Sequence, residues 1–154
     1  MEMLTVGMIK QWKRLRPRFM DFDLLGHLNH TAYLLLFEEV RVPYMMRVLG
    51  IEQPGHIPFY IRRVEVDYRL PVEWGMDVMV GVGVNHTGNS SIVFDHYITD
   101  VGHDVIFATG RTVHVMVKNG RAVRIPDDMV SAFERHENRK LRGDLQERER
   151  DTSD

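Results

Sequence analysis

The sequence predicts an α+β fold in which an antiparallel β-sheet wraps around a central α-helix. Three observations carry this. Residues 34–49 are apolar on nearly every helical face, and such a helix belongs inside something. Most later segments alternate apolar and polar residues with a period of two, separated by Gly, Pro and Asn turns, which is the pattern of hairpin-linked strands. One strand-like segment precedes the helix. A single sheet of this kind leaves strand edges open, so pairing with a second copy is expected, as a homodimer or a dimer of dimers.

In residues 8–19, Trp12, Leu15 and Phe19 are interleaved with Lys10, Lys13, Arg14, Arg16 and Arg18. This suits a strand with solvated basic positions, and Pro17 marks an edge or a bulge. Asn29 to Thr31 supply caps for the helix. Pro43 inside the helix predicts a kink, and Gly50 suits its C-terminus. Glu38, Glu39, Arg41 and Arg47 mark its wetter side. Pro54-Gly55-His56 is a turn. In 59–70, Tyr60, Val64, Val66, Tyr68 and Leu70 share one face, with Arg63, Glu65, Asp67 and Arg69 on the other, as in a half-buried strand.

After a break at 71–75, Val78, Val80, Val82 and Val84 alternate with Met79, Gly81, Gly83 and Asn85. Two glycines on one face predict close approach by another element, or bending of the sheet. His86-Thr87-Gly88-Asn89 reads as a hairpin turn. A strand through Ile92, Phe94 and Ile98 follows, then a turn at 100–104. In the long strand 105–118, Ala108, Gly110 and Thr112 are small enough for a helix to lie across them. Asn119-Gly120 is a two-residue hairpin signal leading into strand 121–125. Asp127 caps a short helix over 128–135. Residues 137–154 carry mixed charge and almost no apolar content. They read as a solvated tail after a single domain spanning 1–136.

A formal net charge of -2 over 154 residues provides no field favouring nucleic acid or an anionic membrane, and neither partner is expected. No apolar run is long enough to span a bilayer, and the first residues lack the basic-then-apolar order of a signal peptide. The absence of cysteine excludes disulfides, thiolate metal sites and a cysteine nucleophile. A cytoplasmic location is expected. No phosphate loop, dinucleotide fingerprint or Gly-x-Ser-x-Gly elbow occurs, and no cofactor is expected. His56, His86, His96, His103, His114 and His136 read as turn or strand-surface residues.

Chemically capable side chains concentrate in Asp21-Phe22-Asp23-Leu24-Leu25-Gly26-His27-Leu28-Asn29-His30-Thr31-Ala32-Tyr33, at the helix start. A helix start directs unpaired N–H groups and a partial positive charge outward, as oxyanion stabilisation requires. Asp23 would be the nucleophile or the general base for a water. Amides near His30 and Thr31 would polarise a carbonyl, His27 would orient a partner or stabilise charge, and Gly26 would allow close substrate approach. The alternative is a capped loop whose polar residues bond one another. His27 and His30 straddle a loop-to-helix junction, not one regular face, and no metal is expected there.

The stretch from Arg16 to Tyr33, with Phe37-Glu38-Glu39 and Arg41, resembles the signature of hotdog-fold acyl-CoA thioesterases. The groups concerned are the 4-hydroxybenzoyl-CoA thioesterases and their Gly-His-Val-Asn-Asn relatives. Val64-Glu65-Val66-Asp67-Tyr68 through Pro71, Gly75-Met76-Asp77 and Ile125-Pro126 resemble later family segments in the right order. The likeness spans about residues 14–134. It implies a sheet wrapped around one helix and dimerising into a larger sheet, with acyl-CoA as substrate. Asp23 then matches the catalytic carboxylate, His27 the histidine of the second group, and His30 the position whose amide binds the thioester oxygen. Gly26, Asn29, Thr31 and Tyr33 complete the implied substrate-binding stretch. His30 replaces the second Asn of the pattern, and Leu25 stands where plant acyl-carrier-protein thioesterases carry a catalytic Asn. Two functions stay open: hydrolysis of acyl-CoA to free acid and CoA, or non-catalytic binding of acyl thioesters.

Overall fold

A computed structural model describes residues 1–142. Its centre is α1 (Ala32–Leu49), ended by Gly50 in the left-handed region at φ 65°. The helix runs through Pro43 without interruption. Around it curls one antiparallel sheet of β1 (Gln11–Leu15), β2 (Phe59–Tyr68), β3 (Val78–Thr87), β4 (Ser91–Thr99) and β5 (Ile106–Lys118), in the order β1-β3-β4-β5-β2. A short β6 (Arg121–Ala122) pairs with β5 through the Asn119-Gly120 turn, both residues having positive φ as the hairpin signal requires. A second helix, α2 (Asp127–Glu137), follows β6.

The core follows from the valine alternation. Val78, Val80, Val82 and Val84 are fully buried, as are Phe37, Tyr44 and Phe94. Gly110 lets the helix approach the sheet, since a Cβ there would overlap the ring of Phe37. Gly81 and Gly83 face the other way. A Cβ on Gly81 would lie 2.7 Å from Trp12, and one on Gly83 2.8 Å from Leu4. The element that approaches them is the N-terminal segment, which crosses the outer sheet face and buries Leu4 and Ile9 against Tyr97. It is pinned by polar groups: the Leu4 amide donates to Asp95 Oδ2 at 2.9 Å, and Tyr97 Oη donates to the Leu4 carbonyl at 2.6 Å. Asp95, fully buried, is paired with Arg111 at 2.7 Å.

Several expectations change. The first strand is shorter than 8–19, because its start is drawn onto the outer sheet face. His86 and Thr87 extend β3 and are not part of the turn. In β2 a bulge between Ile61 and Arg63 shifts the alternation. Tyr68, Val66, Val64 and Ile61 stand opposite Ala108, Gly110, Thr112 and His114, so they share the inner face, and Tyr60 turns outward. Arg41, expected on the wetter side of α1, is only 7% exposed. His96 and His114 are buried, each with Nε2 at 3.1 Å from Thr112 Oγ1, and His96 stacks on Phe37.

Residues 137–142, assigned to the tail by composition, are packed into the fold. Glu137 is buried and accepts from Tyr44 Oη at 2.6 Å and from the Val84 amide at 3.0 Å. Leu141 is buried, and the Arg139 guanidinium donates to the carbonyls of Val84 and Asn85. Charge composition alone does not show that a carboxylate has buried donors waiting for it. The rest of that expected tail, 143–154, lies outside the described residues.

Candidate active site

The loop before α1 is shaped by its own carboxylates. Asp21 accepts from the Arg18 amide at 2.7 Å and from its guanidinium at 3.1 Å, and these bonds hold its carboxyl below the usual range. The Asp21 carbonyl accepts the Asn29 amide at 2.7 Å, so Asp21 braces the loop. Asp23 is exposed. Its Oδ1 accepts the amides of Leu25 at 2.9 Å and His27 at 3.2 Å, and its backbone bonds to His27 and Gly26 close a tight turn. Gly26 takes φ 77° in that turn, which its missing side chain permits.

Asn29 organises the helix entry. Its Oδ1 accepts from both the amide and the hydroxyl of Thr31, at 3.0 and 2.9 Å, and its carbonyl accepts the Ala32 amide. Thr31 and Ala32 amides are therefore occupied, contrary to the expectation that Thr31 would polarise a carbonyl. The His30 amide forms no hydrogen bond among the described residues. The His30 carbonyl accepts Tyr68 Oη at 2.9 Å, and Tyr68 meets Tyr33 edge-on at 4.9 Å. Tyr33 is buried, which pushes its phenol pKa up and keeps it neutral.

Asp23, His27, His30, Tyr33, Tyr68 and Arg69 line one open groove of about 320 Å³. Four residues singled out from sequence thus meet at one surface, whereas Gly26, Asn29 and Thr31 shape the loop behind it. For Tyr68 the sequence predicts only a place on a strand face. Its position after Asp67 in the second family-like segment is the signal that could have found it. A larger groove of about 720 Å³ opens on the other side of the loop, between the 15–18 segment and α1. It reaches Asp21, already engaged by Arg18, and does not reach Asp23, which lines the smaller groove with His27 and His30.

The basic residues of the first strand are largely occupied: Arg14 and Arg16 by Asp77, Lys13 by Glu39. Among the described residues no group of three or more His, Cys, Asp or Glu could hold a metal ion. No helix among them is long and apolar enough to cross a membrane.

Comparison with known proteins places this geometry. The sequence model of the thioesterase-like superfamily matches residues 17–133. The chain is similar to a thioesterase from Thermus thermophilus whose structure was solved with coenzyme A and zinc: 31% identity, TM-score 0.76, covering 85% of this chain and 97% of that one. It is similar to a Bacillus stearothermophilus protein described as a predicted thioesterase, at 30% identity and TM-score 0.75, covering 86% and 98%. A 1,4-dihydroxy-2-naphthoyl-CoA thioesterase from Synechocystis shares the fold at 14% identity and TM-score 0.69, covering 80% and 94%.

Proposed function

The chain belongs to the thioesterase-like superfamily, and from that premise we propose that it hydrolyses acyl-CoA to free acid and CoA. The observation that carries the reading is the convergence of the Asp23 carboxylate and the His30 amide near one groove. With Oδ1 held by two loop amides, Oδ2 of Asp23 is the oxygen left to attack the thioester carbon or to take a proton from water. The His30 amide, at the positive end of α1, receives the developing oxyanion. The CoA thiolate is a good leaving group, so no strong general acid is required. His27, half-buried beside Asp23, orients the water or stabilises charge.

A second copy fits the β2 edge. Tyr60, Ile61, Val64, Tyr68 and Leu70 are all substantially exposed along it. Phe19, Met20, Leu24, Leu25 and Trp74 extend the apolar exposure around the catalytic loop. A homodimer formed on this edge would bring the groove near the subunit interface.

The test is thiol release from short, long and aromatic acyl-CoAs by wild type and Asp23→Asn. Turnover by the variant should fall by about two orders of magnitude or more, with unfolding midpoint and dimerisation close to wild type. The bonds from Asp23 Oδ1 to its own loop favour a second reading, an acyl-thioester binding module in which the carboxylate is structural. Wild-type turnover by folded Asp23→Asn would establish that structural role.

A further inference from the structure

One hydrogen bond at the candidate site crosses from the sheet to the helix entry. Tyr68, the last residue of β2, donates its phenol proton to the His30 carbonyl at 2.9 Å. The bulge between Ile61 and Arg63 sets Tyr68 on the inner face of the sheet. Its cross-strand neighbour there is Ala108, a buried residue too small to fill the space towards α1. Tyr33, buried on the first turn of α1, meets the Tyr68 ring edge-on and fixes its direction.

This bond bears on the donor that faces the oxyanion. The His30 N–H lies in the Asn29–His30 peptide plane, whose carbonyl accepts the Ala32 amide at 2.9 Å. The next plane, His30–Thr31, is held at its N–H by Asn29 Oδ1 at 3.0 Å and at its carbonyl by Tyr68. The bonds among Asn29, Thr31 and Ala32 set the internal shape of the turn. Its placement against other segments comes from the Leu28 amide on the Val72 carbonyl at 2.8 Å, the Asn29 amide on the Asp21 carbonyl at 2.7 Å, and Tyr68. Of these three, the Tyr68 bond acts on His30 itself. A donor stabilises an oxyanion best when it is held in place before the charge develops, and small displacements cost rate. A phenol has one proton to donate, and that of Tyr68 is committed to His30. Tyr68 therefore acts through His30 and is not a second donor to the thioester oxygen.

We propose that Tyr68 is a positioning residue of this site: its hydroxyl, through the His30 carbonyl, holds the His30 N–H where the thioester oxyanion develops. This rests on the thioesterase reading above. His30 is exposed, so water can replace the lost donor in Tyr68→Phe, and the unfolding midpoint should stay close to wild type. Water does not fix the peptide as a strand residue does, and the loss should fall on catalysis.

Three readouts test this. Thiol release gives kcat and KM for the best acyl-CoA, or for hexanoyl-CoA where none is hydrolysed. The S-alkyl-CoA thioether, which has no carbonyl, reports binding alone. The methylene-ketone analogue, with CH2 in place of the thioester sulfur, reports polarisation of its bound carbonyl through the infrared stretch. In Tyr68→Phe, kcat should fall about tenfold, with KM and thioether Kd unchanged. The ketone stretch, lowered on binding to wild type, should return towards its free value. Replacing Tyr68 by 4-aminophenylalanine keeps a donor at the same place and should restore most of both. If Tyr68→Phe does not fold, that replacement carries the test, with a smaller change in the same direction because an aniline is the weaker donor. Wild-type kcat and stretch in Tyr68→Phe would overturn the proposal and leave hydrolysis standing. A loss of kcat matched by equal weakening of thioether binding would overturn it too, since Tyr68 would then only shape the groove. A stretch that wild type does not lower would overturn it whatever the turnover. A stretch lowered by wild type and restored in the variant, without thiol release from any acyl-CoA, would refute hydrolysis and keep the Tyr68 assignment.

Discussion

Acid should unfold this protein through its buried histidines. His114 is 4% exposed, and burial followed by the nearby Arg41 charge pushes its pKa from 6.5 down to about 3. As pH falls below 6.5 the unfolded chain binds this proton and the folded one does not. Stability present above 6.5 is therefore lost progressively until pH reaches about 3. At a pH two units below the unfolded value, two pKa units of linkage amount to about 2–3 kcal/mol. That is a large share of a marginal stability of about 5–15 kcal/mol. His96, fully buried and shifted the same way, adds to the slope. The assay is urea unfolding at fixed protein concentration, between neutral pH and two units below the histidine reference. His114→Gln keeps an amide able to reach Thr112 Oγ1 and removes the proton site. Its stability should fall less over this range, by about 2–3 kcal/mol. Equal slopes for wild type and variant, or a His114 ring titrating near 6.5 by NMR, would refute the reasoning.

Gly110→Ala should lower the urea midpoint by the equivalent of about 1–3 kcal/mol, because the new methyl meets Phe37, itself stacked on His96 at 4.6 Å. Glu137→Ala leaves the Tyr44 hydroxyl and the Val84 amide without their acceptor. It should cost about 2–4 kcal/mol, read as a lowered Tm; an unchanged Tm would return residue 137 to the solvated tail. Ile61→Lys with Val64→Lys should dissociate the proposed dimer in light scattering, and a stable, active wild-type monomer at micromolar concentration would remove that assembly. His27→Ala should reduce turnover less than Asp23→Asn; an equal loss would give the imidazole a direct part in the chemistry.

What the sequence determines by itself here is whatever depends on neighbours along the chain. The valines from Val78 to Val84, the apolar run closed by Gly50 and the Asn119-Gly120 turn each declare their conformation within a few residues, because period and φ are local properties. Most of the candidate site was legible for the same reason. Asp23, Gly26, His27, Asn29 and His30 lie in one short loop, and their mutual bonds are short-range. Tyr68 reaches His30 from 38 residues away, and only the pairing of β2 with β5 brings it there. Tertiary structure also decided which polar residues go inside. Arg41, His96, His114 and Glu137 have the composition of surface residues, yet burial depends on what packs above each one. The N-terminal segment makes the point from the other side. Gly81 and Gly83 announced that something approaches the sheet, but only the folded chain, with Asp95 and Tyr97 holding Leu4, determined which segment it is. Contact between residues far apart in sequence is set by the whole packing arrangement, and no local pattern encodes it.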